Sequence, residues 1–139
     1  MPSLEISIPK TDREQKAQLA RKLTEAFAQH TRFEPEIFGI RIHEYDKDQA
    51  AYAGELCDEP NARAYLHAIL CIPKINRETK QKIVASFTRV YVEVFNDKAM
   101  QPVIHIHEYP YDNVGVEGKL LSDAYDECKN QKFYYDLGE

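Results

Sequence analysis

The second residue of the chain is a proline, in the opening MPSLEISIPK, and a strand-forming run begins directly after it. With Met1 in place, Pro2 is a stiff residue ahead of a strand. With Met1 removed, as the small proline ring permits, it is a free secondary amine at a strand end. An α-amino group titrates at roughly 7.7 to 8 in the open, and burial or a nearby cation lowers that value by disfavouring the charged form. A neutral Pro2 nitrogen then takes a proton from a carbon beside a carbonyl and returns it at another carbon. Such a base works best with a pKa near the operating pH.

Histidines and cysteines give the other chemical candidates. His105 and His107 stand two apart in HIH, and His43 occupies the place equivalent to His107. Strand alternation puts His105 and His107 on one face, an arrangement that suits zinc. Glu44 and Glu108 point the other way and do not complete a ligand set. No metal is therefore expected, and His43 and His107 read as interface residues between repeats or chains. His30, on an apolar helical stripe, reads as a satisfied core or edge histidine. Cys57, Cys71 and Cys128 are odd in number and widely spaced with no CxxC pair, which argues for reduced thiols rather than a disulfide framework or a zinc ribbon.

These residues are carried by two copies of one unit. IPKTDREQK at 8–16 matches IPKINRETK at 72–80 in six of nine positions, and IRIHEYD at 40–46 matches IHIHEYP at 104–110 in five of seven. The same offset of 64 joins both pairs and also places Gly54 and Leu56 on Gly118 and Leu120. Leu4 to Ile8 and Leu66 to Ile72 alternate as half-buried strands do. Asp12 and Asn76 are N-cap candidates, and Thr11 with Glu14 offers a capping box. Leu19, Leu23, Ala26, Phe27 and His30, and then Ile83, Phe87, Val90, Tyr91 and Val94, fall at helical spacing, with ends expected near Arg32 and Asn96. Residues 40–45 and 103–109 alternate again, and hairpin-like tails follow around Tyr52 to Leu56 and Val116 to Leu120.

The expected fold class is α/β (α+β). Each strand-helix-strand unit makes a right-handed crossover with its strands parallel. Two units give a four-stranded sheet with both helices on one face. The other face, carrying Arg41, His43, His105 and His107, calls for a partner and predicts oligomerisation. The chain reads as a single domain over 1–139: repeats at about 2–57 and 65–121, joined by CDEPNAR, with a tail at 122–139 that has no assigned role. The 139 residues, 43% hydrophobic and 29% charged, suffice for a core without disulfides or metal. A formal charge of −5 argues against nucleic-acid binding. No signal peptide or membrane span is visible, so a cytoplasmic, soluble protein is expected.

Pro2, the helix entry DREQK at 12–16, IRIHEY at 40–45, the GEL at 54–56 and the doubled unit together resemble the tautomerase superfamily. The resemblance covers roughly residues 2–121 and is to members in which two 4-oxalocrotonate-tautomerase-like units are fused. It implies a tautomerase-like β-α-β fold, a trimer of fused chains, no cofactor, and an amino-terminal proline that moves a proton in small enol or keto carboxylates. Pro2 aligns with Leu66, which is internal, so one proline pocket per chain is implied. The resemblance also implies cations beside the proline. The matching places hold Lys74 and His105, with Lys10 and Arg41 towards the Leu66 end. A lysine gives a point charge where an arginine would grip a carboxylate bidentately. Tyr45, Tyr52, Tyr109 and Tyr111 fall where a pocket rim would be, with Tyr109 a candidate contact to substrate.

A hydrolytic enzyme resembling cis-3-chloroacrylic acid dehalogenase is the alternative within the superfamily. Its arginine places correspond here to Cys71 and Lys74, its histidine to Phe27 and its tyrosine to His105; only Glu117 matches, as the carboxylate that activates water. A decarboxylase resembling malonate semialdehyde decarboxylase is disfavoured by the same missing arginine pair in this chain, while hydration through Glu117 stays open. Outside catalysis, the chain reads as an oligomeric binding protein that keeps Pro2 for structure.

Overall fold

A computed structural model describes residues 1–31 and 33–124 of the chain. β1 (Ser3–Pro9), α1 (Arg13–His30) and β2 (Gly39–Tyr45) are followed by a short hairpin of β3 (Ala51–Tyr52) and β4 (Glu55–Leu56). The series then repeats as β5 (His67–Pro73), α2 (Arg77–Phe95), β6 (Val103–Tyr109) and the hairpin of β7 (Gly115–Val116) and β8 (Lys119–Leu120), with a short helix α3 (Leu121–Ala124) after it. Every strand of the second copy lies 64 positions after its counterpart in the first, as the repeat requires. Of the expected tail, 125–139 lie outside the described residues, as does the expected helix end at Arg32.

The sheet order is β2-β1-β5-β6. Within each repeat the two strands are parallel, and the repeats meet through antiparallel pairing of β1 with β5. Alternation decides the faces. Leu4, Ile6 and Ile8 of β1 and Ala68, Leu70 and Ile72 of β5 are buried, against the stripe Leu19, Leu23, Ala26 and Phe27 of α1 and Ile83, Phe87, Val90, Tyr91 and Val94 of α2. Phe27 stacks on Phe38 with ring centroids 3.9 Å apart. His30 is satisfied, its Nε2 lying 2.8 Å from Ser86 Oγ on the neighbouring helix.

The opposite face carries Glu5 beside Arg41 and His43, whose Nη1 and Nε2 lie 4.0 and 3.7 Å from its carboxylate. His67 and His105 meet edge to face at 4.9 Å.

Helix entry follows the cap chemistry with one correction. Asp12 accepts from Gln15 N at 2.8 Å and Asn76 from Thr79 N at 2.9 Å, each satisfying an orphan amide of the first turn. The box of Thr11 and Glu14 does not form, because Asp12 takes the cap one residue later and the Thr11 hydroxyl turns to the Gln15 side chain. α2 ends at Asn96 with φ 50°, a left-handed conformation that Asn tolerates.

The turn between strand and helix is fixed from outside the repeat's own loop. Glu44 on β2 accepts from Thr11 N at 2.9 Å and pairs with Lys16 at 2.8 Å. Glu108 on β6 accepts from Ile75 N at 3.0 Å and pairs with Lys80 at 2.8 Å. These bonds explain the shared HEY: its glutamate ties the end of the second strand to the helix entry, and its position within the strand sends it to the helix side. Lys16 and its neighbouring amide hold the Glu44 carboxyl below its usual range.

Replacing Glu108 by Ala strands the Ile75 amide in a residue only 2% exposed, at a cost of about 2 kcal/mol. Glu108→Gln keeps an acceptor and loses less. Thermal melting at fixed protein concentration is expected to rank the chains wild type, Glu108→Gln, Glu108→Ala; equal midpoints for all three would remove this role for the glutamate.

Candidate functional site

Strand direction determines what surrounds Pro2. Ser3 pairs with Cys71 in the antiparallel β1–β5 ladder, so Pro2, itself buried, lies against the end of β5, where the chain continues to Lys74. β6 runs parallel to β5 with Cys71 beside His107 and Pro73 beside Tyr109. On the other side Ser3 pairs with Gly39, which brings the buried Phe38 to the same end. The start of the first repeat is thereby enclosed by the end of the second, and Lys74 and Tyr109 belong to it.

Tyr109 can be compared with its counterpart 64 positions earlier. Tyr45 donates its hydroxyl to the backbone carbonyl of Tyr65, the residue immediately before Leu66. Burial pushes the Tyr45 hydroxyl up to about 12. Since Leu66 is the counterpart of Pro2, the corresponding carbonyl at the other end belongs to Met1. The Tyr109 hydroxyl, however, is buried and has no hydrogen-bond partner among the described residues. Its pKa is raised above the ordinary tyrosine value, first by burial and then by Tyr111 and Cys71. A buried donor left unpaired costs free energy that the same fold avoids at Tyr45. At the chain terminus, burial lowers the pKa of the Met1 ammonium.

The remaining candidates are distributed differently. Arg41 and His105 share one row across the sheet with Glu5 and Ile69, three registers from Pro2. At about 3.3 Å per residue this is about 10 Å along the strands, on the open face. Within one chain they do not join Lys74 and Tyr109. Glu117 is exposed in the β7–β8 turn with φ 54°, and Gly118 follows at 80°. Ala53 and Gly54 adopt the same pair of positive angles in the first copy, so this backbone belongs to the two-residue turn and not to a chemical role. Phe27, at the histidine place of the dehalogenase-like set, is 0% exposed and stacked in the core.

Cys71 and His107 also lie at the Pro2 end, in the row of Ser3, and residue types alone gave them no place beside Pro2. The signal that finds them is the direction in which the two repeats pair. Among the described residues, no three His, Cys, Asp or Glu side chains converge to hold a metal ion, and no helix is long and apolar enough to cross a membrane.

Comparison with known proteins agrees with this architecture. A native fused 4-OT superposes with a TM-score of 0.76 at 20% identity, covering 87% of this chain and 97% of its own. An asymmetric trimer of the fused 4-OT F6 gives 0.75 at 23% identity, covering 88% and 98%. N1, a member of the cis-3-chloroacrylic acid dehalogenase family, gives 0.71 at 20%, covering 85% and 82%. At these identities the likeness concerns the fold. No curated protein matches the sequence significantly. The profile described as "Tautomerase enzyme" matches residues 2–59 and again 69–124, one match to each repeat. The chain therefore belongs to the tautomerase family.

Proposed function

We propose that the chain, once Met1 is removed, is a cofactor-independent tautomerase that shifts a proton in small enol or keto carboxylates. The observation that carries this reading is the unpaired, buried Tyr109 hydroxyl at the end of the sheet where Pro2 begins β1. In the other repeat the carbonyl before Leu66 fills the equivalent place. Removing Met1 takes away the carbonyl that precedes Pro2, leaving an amine and a hydroxyl at one end of the sheet.

The roles follow from the chemistry. Neutral Pro2 nitrogen removes the proton, and its burial favours that neutral form. Tyr109 donates to the oxygen on which charge develops as the carbon is deprotonated, where a preorganised donor stabilises the transition state more than the ground state. Lys74 supplies the charge for the substrate carboxylate. Arg41 and His105 enter this reading only across an interface between chains. We assign that interface to a homotrimer, in line with the fused 4-OT trimers of the same fold. Glu117 has no role in the proton shift.

Intact mass is expected to be one methionine short of the encoded chain. Pro2→Ala still permits Met1 removal but replaces the secondary amine, and turnover of phenylenolpyruvate or 2-hydroxymuconate should fall by at least roughly 100-fold. Retention of Met1, or equal turnover in the variant, moves the chain to the binding-protein reading.

Tyr109→Phe separates chemistry from structure. The variant loses no hydrogen bond of the folded chain and should melt at or slightly above the wild-type temperature, while kcat/KM falls roughly 100-fold.

The base is active when deprotonated, so kcat/KM rises with pH through the pKa of the Pro2 amine and then levels. Burial lowers that pKa, placing the rising limb below about pH 8; a limb centred above pH 9 would contradict a buried amine. Light scattering is expected to return three times the chain mass, and the mass of one chain would overturn the trimer.

A further inference from the structure

The end of the sheet opposite Pro2, where Leu66 lies, has a cavity. It occupies about 520 Å³ and is bordered by Lys10 from the turn after β1, Lys47 from the turn after β2 and Arg63 from the segment before β5. Three cations thus reach one cavity from three separate stretches of chain. Lys10 is held by Asp46 at 2.9 Å, in a pair whose side chains are 66% and 56% exposed. Arg63 lies 4.8 Å above the Tyr52 ring. Both contacts orient the cations without burying their charge. The acidic side chain on the cavity wall, Asp97, accepts from Ala99 N at 2.9 Å and is engaged in shaping its own turn. Phe95 and Met100 give the cavity an apolar side. Cations around a space with an apolar wall suit an anion with a short hydrocarbon body.

The repeat relates this place to the proposed active site. Lys10 is the counterpart of Lys74, and Leu66 is that of Pro2. The hydroxyl that is unpaired at Tyr109 is tied down at Tyr45 by the Tyr65 carbonyl. This end has positive charge and a cavity but neither a free amine nor an unengaged Tyr45 hydroxyl.

We propose that the cavity bounded by Lys10, Lys47 and Arg63 is a second, non-catalytic site that binds a short-chain dicarboxylate. It holds the ligand through charge and apolar contact, and it carries out no proton transfer. The inference uses the geometry of the silent end and stands whether or not Pro2 turns over substrate.

Adipate, a saturated six-carbon dicarboxylate with no enol or keto group, is the probe, titrated into the full chain by calorimetry. A binding event is expected that the double variant Lys10→Gln with Arg63→Gln weakens at least tenfold and that Lys74→Gln leaves within twofold. The charge-keeping pair Lys10→Arg with Arg63→Lys should retain it, which separates loss of charge from loss of fold. The glutamine pair should leave turnover at Pro2 within twofold of wild type. Adipate binding unchanged in the glutamine pair, or no adipate binding to the wild-type chain, would overturn the site. A loss in Lys74→Gln equal to that in the glutamine pair would do so as well.

Discussion

Antiparallel pairing of β1 with β5 is the contact on which the molecule depends, because it joins the repeats within the sheet and sets their relation. Ser3 opposite Cys71 and Ser7 opposite His67 turn one strand-helix-strand unit end for end against the other. Each unit then brings the start of its first strand to the finish of the other unit's first strand. That is why residues from the second repeat surround Pro2 while residues from the first surround Leu66. The register is fixed by burial: a slip of one residue would drive Glu5 and Ser7 into the core in place of Leu4 and Ile6. The site and the core are thus specified by the same alternation.

Around that pairing the two ends are held alike and then diverge. Glu44 and Glu108 tether their helix entries through the same two partners, a turn amide and a helix lysine. Cys57 and Leu121 each follow a hairpin and each donate an amide across it, to Ala50 and Val114. Against this shared frame, the difference between Tyr45 and Tyr109 is local. Tyr45 uses the carbonyl of Tyr65, whereas Tyr109 makes no such bond to the corresponding carbonyl of Met1.

The repeat, the strands, the helical stripes and the caps Asp12 and Asn76 were all legible in the sequence because each rests on short-range periodicity or on one side chain meeting its own turn. The resemblance put Lys74 and His105 beside Pro2, yet which strand ends lie there follows from a long-range pairing direction that no local pattern encodes. The same gap explains Arg41 and His105, which occupy the expected strand and face but sit three registers along it. Glu44 and Glu108 were legible as pointing to the helix side, whereas their bonds to Thr11 and Ile75 were not, since those connect segments 33 residues apart. Thr11 and Glu14 show the opposite failure: a good local motif gave way to a neighbouring carboxylate one position later.

The open sheet face presents a different constraint from the site. Its centre is mixed: Ile69 lies between the Glu5 carboxylate and His105, and Cys71 lies between Ser3 and His107. Glu5 is the acidic residue on this face of β1, and both Arg41 and His43, two apart on β2, lean towards it, so removing the carboxylate would leave the Arg41 guanidinium without this partner. Exposed pairs of this kind contribute little to a lone chain, on the order of 0 to 1 kcal/mol each. If water is excluded when chains meet over this face, the same groups must stay paired, because an unpaired buried charge is far more costly than an exposed one. A chain that covered this face would therefore have to preserve the Glu5 contacts or leave a charge buried and unpaired.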